Sequence, residues 1–354
     1  MPEQLKLDLM DLGGGHVDGI PASHLRDNQF ANYQNFYPYL KKAVRRKGML
    51  RVTETAHAER LTSIFALKNA DGTWTLVLGR QTGLSKLDGT GLVDLPISDS
   101  TAYATQNYLW GMKQYKDVGY AVRRGTGSMK RFTSEFIQNA GIAAPGTAPT
   151  LAQGAAGALP AGNYYGVYTF YNNATGVESN PSDASAVLAL AASKKINWSG
   201  IAISTSGQVT SRRLYRTLGD QTGEYYFVAQ IDNNFDTTYT DNVVTDDLGR
   251  QVSFDNGEPP DNARLIEFHK ERCFLSDGTD VFFGEIGLAE CFAEDSIIQV
   301  YPDDGHEIRV LLSWGDRLVI GKTNAVHYLV GTDRSSFALQ TLSNRHGMFA
   351  QGSA

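Results

Sequence analysis

The chain has 354 residues, with 36 Gly, 17 Tyr, 32 basic against 38 acidic side chains and a net charge of −6. That length allows about two domains at roughly 150 residues each. Aromatics at 10% and charged residues at 20% favour a strand-rich globular chain over a disordered or coiled-coil one. The acidic balance lacks the basic excess by which a dedicated nucleic-acid binder holds phosphates.

Residues 1–54 read as an N-terminal arm and lead-in. Gly13-Gly14-Gly15 and then Val17-Asp18-Gly19-Ile20-Pro21 supply turn chemistry, and such an arm either pairs with a neighbouring subunit or stays a free terminus. The start MPEQLKLDLM has neither the basic residues nor the apolar core of a secretion signal, and no apolar run approaches the roughly 18 residues that cross a bilayer. We therefore expect synthesis in the cytosol and no membrane span. From Asn32 to Val52, aromatics Tyr33, Phe36, Tyr37 and Tyr39 stand beside Lys41, Lys42, Arg45, Arg46 and Lys47. Interleaved rings and cations bind single strands by stacking and charge, but a charge run is more often a solvated face. The five basic residues are thus candidates for subunit or nucleic-acid contact.

Residues 55–143 are strand-like, with runs at Leu61–Leu67, Trp74–Gly79 and Leu84–Leu87 and further strand material in Tyr120–Phe132. Asp71-Gly72 and Asp88-Gly89 mark turns, because Gly accepts the positive φ that tight hairpins need. At about 40 residues per unit this gives about two propeller blades. In residues 144–161 Ala, Gly and Pro dominate and charge disappears, the composition of a linker.

Residues 162–249 read as a separate sandwich, with strand-like runs at Tyr164–Tyr171, Ala184–Leu190, Arg212–Arg216, Tyr225–Ile231 and Thr237–Asp241. About seven short strands in about 90 residues fit a fibronectin type III or immunoglobulin-like module, which the block ALPAGNYYGVYTFYNNATGVESNPS resembles. Residues 250–354 return to blade-like spacing: Ile308–Leu312, Leu318–Ile320, Ala325–Val330 and Phe337–Leu342, with turns between. The expected fold is all-β: a β-propeller, with about two blades on each side, interrupted by a β-sandwich. Since propellers need four to eight blades, the second part is expected to stop short of a complete one.

Three blocks resemble the β-propeller of bacteriophage tail nozzle proteins, the distal tube component of short-tailed phages. They are Trp314-Gly315-Asp316, Lys322-Thr323-Asn324 and Gly331-Thr332-Asp333 in the last part; Leu265–Val300, with its Asp277-Gly278 turn and a surface segment ending in Glu290-Cys291-Phe292; and Gly119–Pro145, which closes with Gly141-Ile142 before the insertion. The resemblance implies a structural virion protein of the tail, assembled in the host cytoplasm, whose copies, usually six, surround the tail axis beneath the adaptor. Genomic DNA would be its partner in the lumen, retained and then released. A weakly acidic wall suits that task, because each phosphate neutralised by Lys or Arg adds a hold on the strand.

No chemistry competes strongly with that expectation. The seven histidines have no metal-type spacing, no G-x-S-x-G or dinucleotide fingerprint occurs, and Gly321-Lys322-Thr323 lacks the first Gly of a phosphate loop. Cys273 and Cys291 read as buried thiols rather than a disulfide or zinc pair. Asp232-Asn233-Asn234 with Asp236 and Asp241, and the pairs Asp246-Asp247 and Asp303-Asp304, read as turn chemistry. No catalytic, cofactor or metal residue is assigned. Two rivals remain: a receptor-binding or baseplate-type tail protein whose Tyr164, Tyr165, Tyr225 and Tyr226 stack on a host glycan, and a propeller hydrolase acting at its central channel.

Overall fold

In the computed structural model the described residues are 59–89, 91–97, 109–123 and 127–348, with the backbone of 36–39 and 42–45. The chain divides into two units, Met1–Thr55 and Ala56–Ala354. In the first, β1 (Phe36–Tyr39) and β2 (Lys42–Arg45) form an antiparallel hairpin with Tyr39 opposite Lys42. Lys42 and Arg45 thus lie on β2. Lys41, Arg46 and Lys47, and the side chains of all five candidate basic residues, lie outside the described residues.

The second unit is all-β, with two short 3-10 turns and no α-helix among the described residues. Four of its sheets are antiparallel meanders of four strands each. The first contains β3 (Leu61–Lys68), β4 (Trp74–Arg80), β5 (Leu84–Asp88) and β6 (Gly91–Asp94). The second contains β7 (Trp110–Tyr115), β8 (Val118–Arg123), β9 (Lys130–Phe132) and β10 (Ile137–Asn139).

Between the second and third meanders come eight strands: β11 (Thr150–Leu159), β12 (Gly162–Tyr164), β13 (Gly166–Tyr171), β14 (Leu188–Leu190), β15 (Lys194–Ser199), β16 (Ser211–Arg216), β17 (Tyr226–Ile231) and β18 (Tyr239–Asp241). The third meander holds β19 (Leu265–His269), β20 (Arg272–Ser276), β21 (Asp280–Phe283) and β22 (Ile297–Gln299). The fourth holds β23 (Ile308–Trp314), β24 (Arg317–Lys322), β25 (Val326–Val330) and β26 (Ala338–Ser343).

Side-chain alternation explains how the meanders stack. Successive residues of a strand point to opposite faces. On β8, Ala121 joins a core with Leu67, Val77 and Met112 of the first two sheets, while its neighbours Tyr120 and Val122 join a core with Ile266, Cys273 and Leu275 of the third. On β20, Cys273 and Leu275 belong to that same core, whereas Phe274 between them joins Ile308, Leu318 and Ile320 of the fourth sheet. Inner sheets are therefore apolar on both faces, and their strands read as continuous runs such as Val-Gly-Tyr-Ala-Val. Outer strands β6, β22 and β26 carry few buried residues.

The eight middle strands form the sheets β11-β15-β18 and β13-β16-β17 and the pair β12-β14. One core joins them, with Leu159, Tyr164, Tyr168, Ile196, Trp198 and Leu214 buried in it. The linker expectation for 144–161 is corrected here: Thr150–Leu159 is a ten-residue strand paired with β15. Its small residues serve close approach rather than flexibility. The register shifts twice along the pair, and a Cβ on Gly157 would stand 2.4 Å from Lys195 Cγ and from Asn242 Oδ1.

A second correction concerns Ala184–Leu190, of which only Leu188–Leu190 is a strand. Before it, Ser179, Ser182 and Ser185 run along the edge of β13. Each donates its N–H to a carbonyl, of Phe170, Tyr168 and Gly166 in turn, and accepts on its hydroxyl the N–H of the same residue. The edge that β13 would leave open is satisfied by a three-residue serine repeat.

Candidate functional site: the cavity between the first strands

The first strands of the four meanders lie side by side in chain order. β3 contacts β7, β7 contacts β19, and β19 contacts β23. Between them lies a cavity of about 300 Å³, lined by Ser63 of β3, by Leu109 and the start of β7 through Lys113, by Leu265 and Ile266 of β19 and by Arg309–Leu312 of β23.

Polar side chains bridge each neighbouring pair of first strands. Ser63 Oγ accepts the N–H of Trp110 at 2.8 Å, and Gln114 binds both the N–H and the C=O of Lys68, at 2.9 and 2.6 Å. Between β7 and β19, Lys113 Nζ reaches Glu267 at 2.7 Å. Tyr115 stacks on Phe268 at 5.1 Å while its hydroxyl donates to Glu271 at 2.6 Å. Burial and that carboxylate push the Tyr115 phenol up to about 12. Between β19 and β23, His269 Nδ1 pairs with Ser313 Oγ at 2.8 Å, and burial holds the imidazole pKa below its ordinary value. These bridges use the backbone groups and side chains of first strands, whose free edges would otherwise lack partners.

The lining carries mixed charge and apolar surface. Lys113 and Arg309 both have carboxylate partners, Glu267 and Glu307. Among the described residues no group of three His, Cys, Asp or Glu side chains is placed to hold a metal. The arrangement forms a wall; its hydroxyl, Ser63, is engaged with a backbone amide rather than with a base.

Residues singled out from the sequence fall elsewhere. Lys322 is 1% exposed and donates to the carbonyls of Val300 and Tyr301 and to Asp304, at 2.7, 2.9 and 2.7 Å, so it fastens a loop. Glu290-Cys291-Phe292, expected at the surface, is buried. Glu290 pairs with Arg131 at 3.3 Å and accepts from Tyr120 and from the N–H of Gly141. Gln208 of the middle block binds the carbonyls of Asn139 and Gly141, at 2.6 and 2.9 Å, next to that network. Cys273 and Cys291 are free and buried, and burial raises both thiols, Cys291 to about 12.

Asn233 accepts the N–H groups of Phe235 and Asp236, which is turn chemistry; Asp241 is instead fully buried against Arg216. Tyr164 and Tyr225 are buried, and Tyr165 and Tyr226 are half-buried. The bridging residues Ser63, Gln114, Lys113 and Glu267 escaped sequence reasoning. Lys113 and Glu267 stand 154 positions apart, and no local pattern announces such a pair.

No protein-family model matches the sequence, and no curated protein does. Among solved structures, the AfRom2 CNH domain aligns at 9% identity over 81% of this chain and 86% of its own, with a TM-score of 0.18. The computationally designed Ika8 protein aligns at 12% identity over 86% and 92%, with a TM-score of 0.19. Scores this low carry no weight for fold or function.

Proposed function

We propose that this chain is a structural component of a phage tail, most simply the nozzle, in which the four meanders act as propeller blades and the middle block as an inserted sandwich. The observation that carries the reading is the order of the meanders: two before the insertion and two after it, stacked through three apolar cores with their first strands around one cavity. Blades packed on both faces make a rigid body, since interiors at that density transmit strain rather than yield. Gln208 of the insert accepts from Arg131 and donates to the Asn139 carbonyl of the second meander, beside the buried Arg131–Glu290 pair that ties that meander to the third, so the insert is fastened at this point.

In this reading several copies, six by the resemblance, surround the tail axis, joined to the adaptor above, and the wall retains and then releases genomic DNA. The cavity lining, with its cations paired to carboxylates, offers phosphates little hold. Imaging the particle by electron microscopy without imposed symmetry tests the proposal. A six-fold ring on a tail axis supports it; a trimer at a spike tip, or a monomer, removes it. The glycan-binding alternative loses Tyr164 and Tyr225, which are used by packing, and keeps only the half-buried Tyr165 and Tyr226.

A further inference from the structure

The loop that leads from the third meander to the fourth, residues 300–307, rests on two buried side chains of the fourth sheet. Along β24, Leu318 and Ile320 face the core shared with the third sheet, and Lys322 continues that face. On β25, Leu329 faces the same core and His327 stands two residues before it, opposite Ile320. Alternation therefore puts Lys322 and His327 together at the polar end of an otherwise apolar core. Both meet the loop: Lys322 Nζ donates to the Val300 and Tyr301 carbonyls and to Asp304, and the Tyr301 ring lies against the imidazole at 4.9 Å between centroids. Val300, where the loop starts, belongs to that core.

His327 is 4% exposed. Its Nδ1 pairs with Thr341 Oγ1 at 3.0 Å, and its Nε2 is buried with no hydrogen-bond partner among the described residues. A neutral imidazole with its proton on Nδ1 suits that position, because Nε2 is then a bare acceptor nitrogen. The imidazolium does not suit it. Both nitrogens become donors, one N–H meets no acceptor, and a second cation is buried beside Lys322.

The charges around the imidazole are few. From β24 comes the Lys322 ammonium and from the loop the Asp304 carboxylate, already engaged by Lys322 and by the His306 N–H. β26 offers the Thr341 hydroxyl, β22 reads Ile-Ile-Gln, and beyond β26 Arg345 and His346 are exposed. His306, the loop's own histidine, is exposed and pairs with Thr323 at 2.9 Å. Burial and the Lys322 ammonium hold the His327 imidazole below its ordinary value, with Asp304 pulling the other way. The loop itself is under strain: Tyr301 takes a φ of 47°, a left-handed conformation that a tyrosine adopts at a cost.

We propose that His327 is a proton-operated latch on this loop. Neutral, it lets Tyr301 and Lys322 clamp the link between the third and fourth meanders; protonated, it expels the loop and uncovers the end of their shared core. An imidazole that resists its proton in the closed form takes it in the open one. Closure is thus complete above the ordinary value of about 6.5 and weakens as pH falls through it toward the lower closed-state value. Asp304, held below its usual range despite burial, stays ionised through this window and adds its own loss only below about 3.9.

The latch is independent of the tail reading, which imaging could remove without touching it. Its test is hydrogen exchange of the full chain at about pH 7 and about pH 5, with labelling times scaled to intrinsic rates, reading residues 300–307 against β24 as reference. Loop protection should fall by up to about 25-fold, the largest change that one imidazole of ordinary value about 6.5 drives over that interval, while β24 holds. His327→Asn keeps a donor for Thr341 but cannot titrate, and should flatten the response; His306→Asn should leave it intact. If His327→Asn loosens the loop at both pH values, the wild-type ring decides, since its proton resonance should titrate below about 6.5. A loop change under about twofold, a response that survives His327→Asn in a closed loop or vanishes in His306→Asn, equal loss on β24, or an imidazole that titrates at its ordinary value would each overturn it.

Discussion

Removing Asp241 should destabilise the middle block far more than removing Asp241 and Arg216 together. Both side chains are 0% exposed, and Arg216 Nε meets Asp241 Oδ2 at 2.7 Å. Arg216 also donates to the carbonyls of Thr217 and Val243, and Asp241 accepts the N–H of Val243 at 2.8 Å. Asp241→Ala strands a guanidinium in the core, which costs about 3–5 kcal/mol. The two remaining carbonyl bonds place this case near about 3, and the orphaned Val243 amide adds about 1. A loss of about 4 kcal/mol lowers amide protection on β16 and β18 by roughly 10³-fold, readable by hydrogen exchange.

Arg216→Met with Asp241→Ala leaves neither charge buried and should come within about 1 kcal/mol of wild type. Burial pulls the Asp241 carboxyl above its ordinary range although Arg216 pulls it down. A raised folded value means that its contribution is present below the unfolded value of about 3.9 and fades as pH climbs through the folded one. The gap between wild type and the double variant should therefore narrow as pH rises across that window. Equal protection losses in the single and double variants would refute the reasoning.

Ser182→Ala removes the acceptor for Tyr168 N–H at 3.2 Å, in a buried edge, and should cost about 1–3 kcal/mol by urea unfolding; an effect below about 0.5 would show that the serine repeat only decorates the edge. Lys322→Met takes the donor from Val300, Tyr301 and Asp304, and should speed proteolysis near Pro302–Asp304. Asp304 is pushed up by burial yet held below its usual range by the bonds from Lys322 and the His306 N–H. The loop contact it makes is thus present above the unfolded value of about 3.9 and lost as pH falls through the lower folded value. Unchanged cleavage would count against the fastening role. Cys273 and Cys291 should resist thiol reagents at pH 8 until urea unfolds the chain, since burial raises both thiols and the thiolate is the reactive form; prompt labelling of the native protein would contradict their burial.

What the sequence disclosed and what it hid divide along a physical line. Leu61–Leu67, Trp74–Gly79, Arg212–Arg216 and Ala325–Val330 were legible as strands because period-two patterning and β-branched or aromatic content are local properties. The Asp277-Gly278 turn was legible too: Asp277 Oδ1 caps the N–H groups of Thr279 and Asp280, and Gly278 takes φ 104°. Thr150–Leu159 was not, because composition treats Gly and Ala as slack and cannot see the side chains pressing on Gly154 and Gly157. The repeat Ser179, Ser182, Ser185 stood in plain view, but its period of three belongs to neither helix nor pleated strand. The burial of Glu290 was hidden for another reason: its partners Tyr120, Arg131 and Gly141 are all 149 or more positions away, and only the stacking of the second and third meanders brings them in.

That stacking also explains where polarity was placed. Inside each inter-sheet core the contacts are almost wholly apolar, which gives attraction but little direction, because hydrophobic burial is proportional to area and tolerant of sliding. Direction comes from the bridges at the first strands: Gln114 clamps both backbone groups of Lys68, Lys113 meets Glu267, and His269 meets Ser313. Each fixes the height of one sheet against its neighbour, since a slip of one residue would separate the partners by about 3.3 Å. Losing one bridge should then change the alignment of two sheets more than the stability of either.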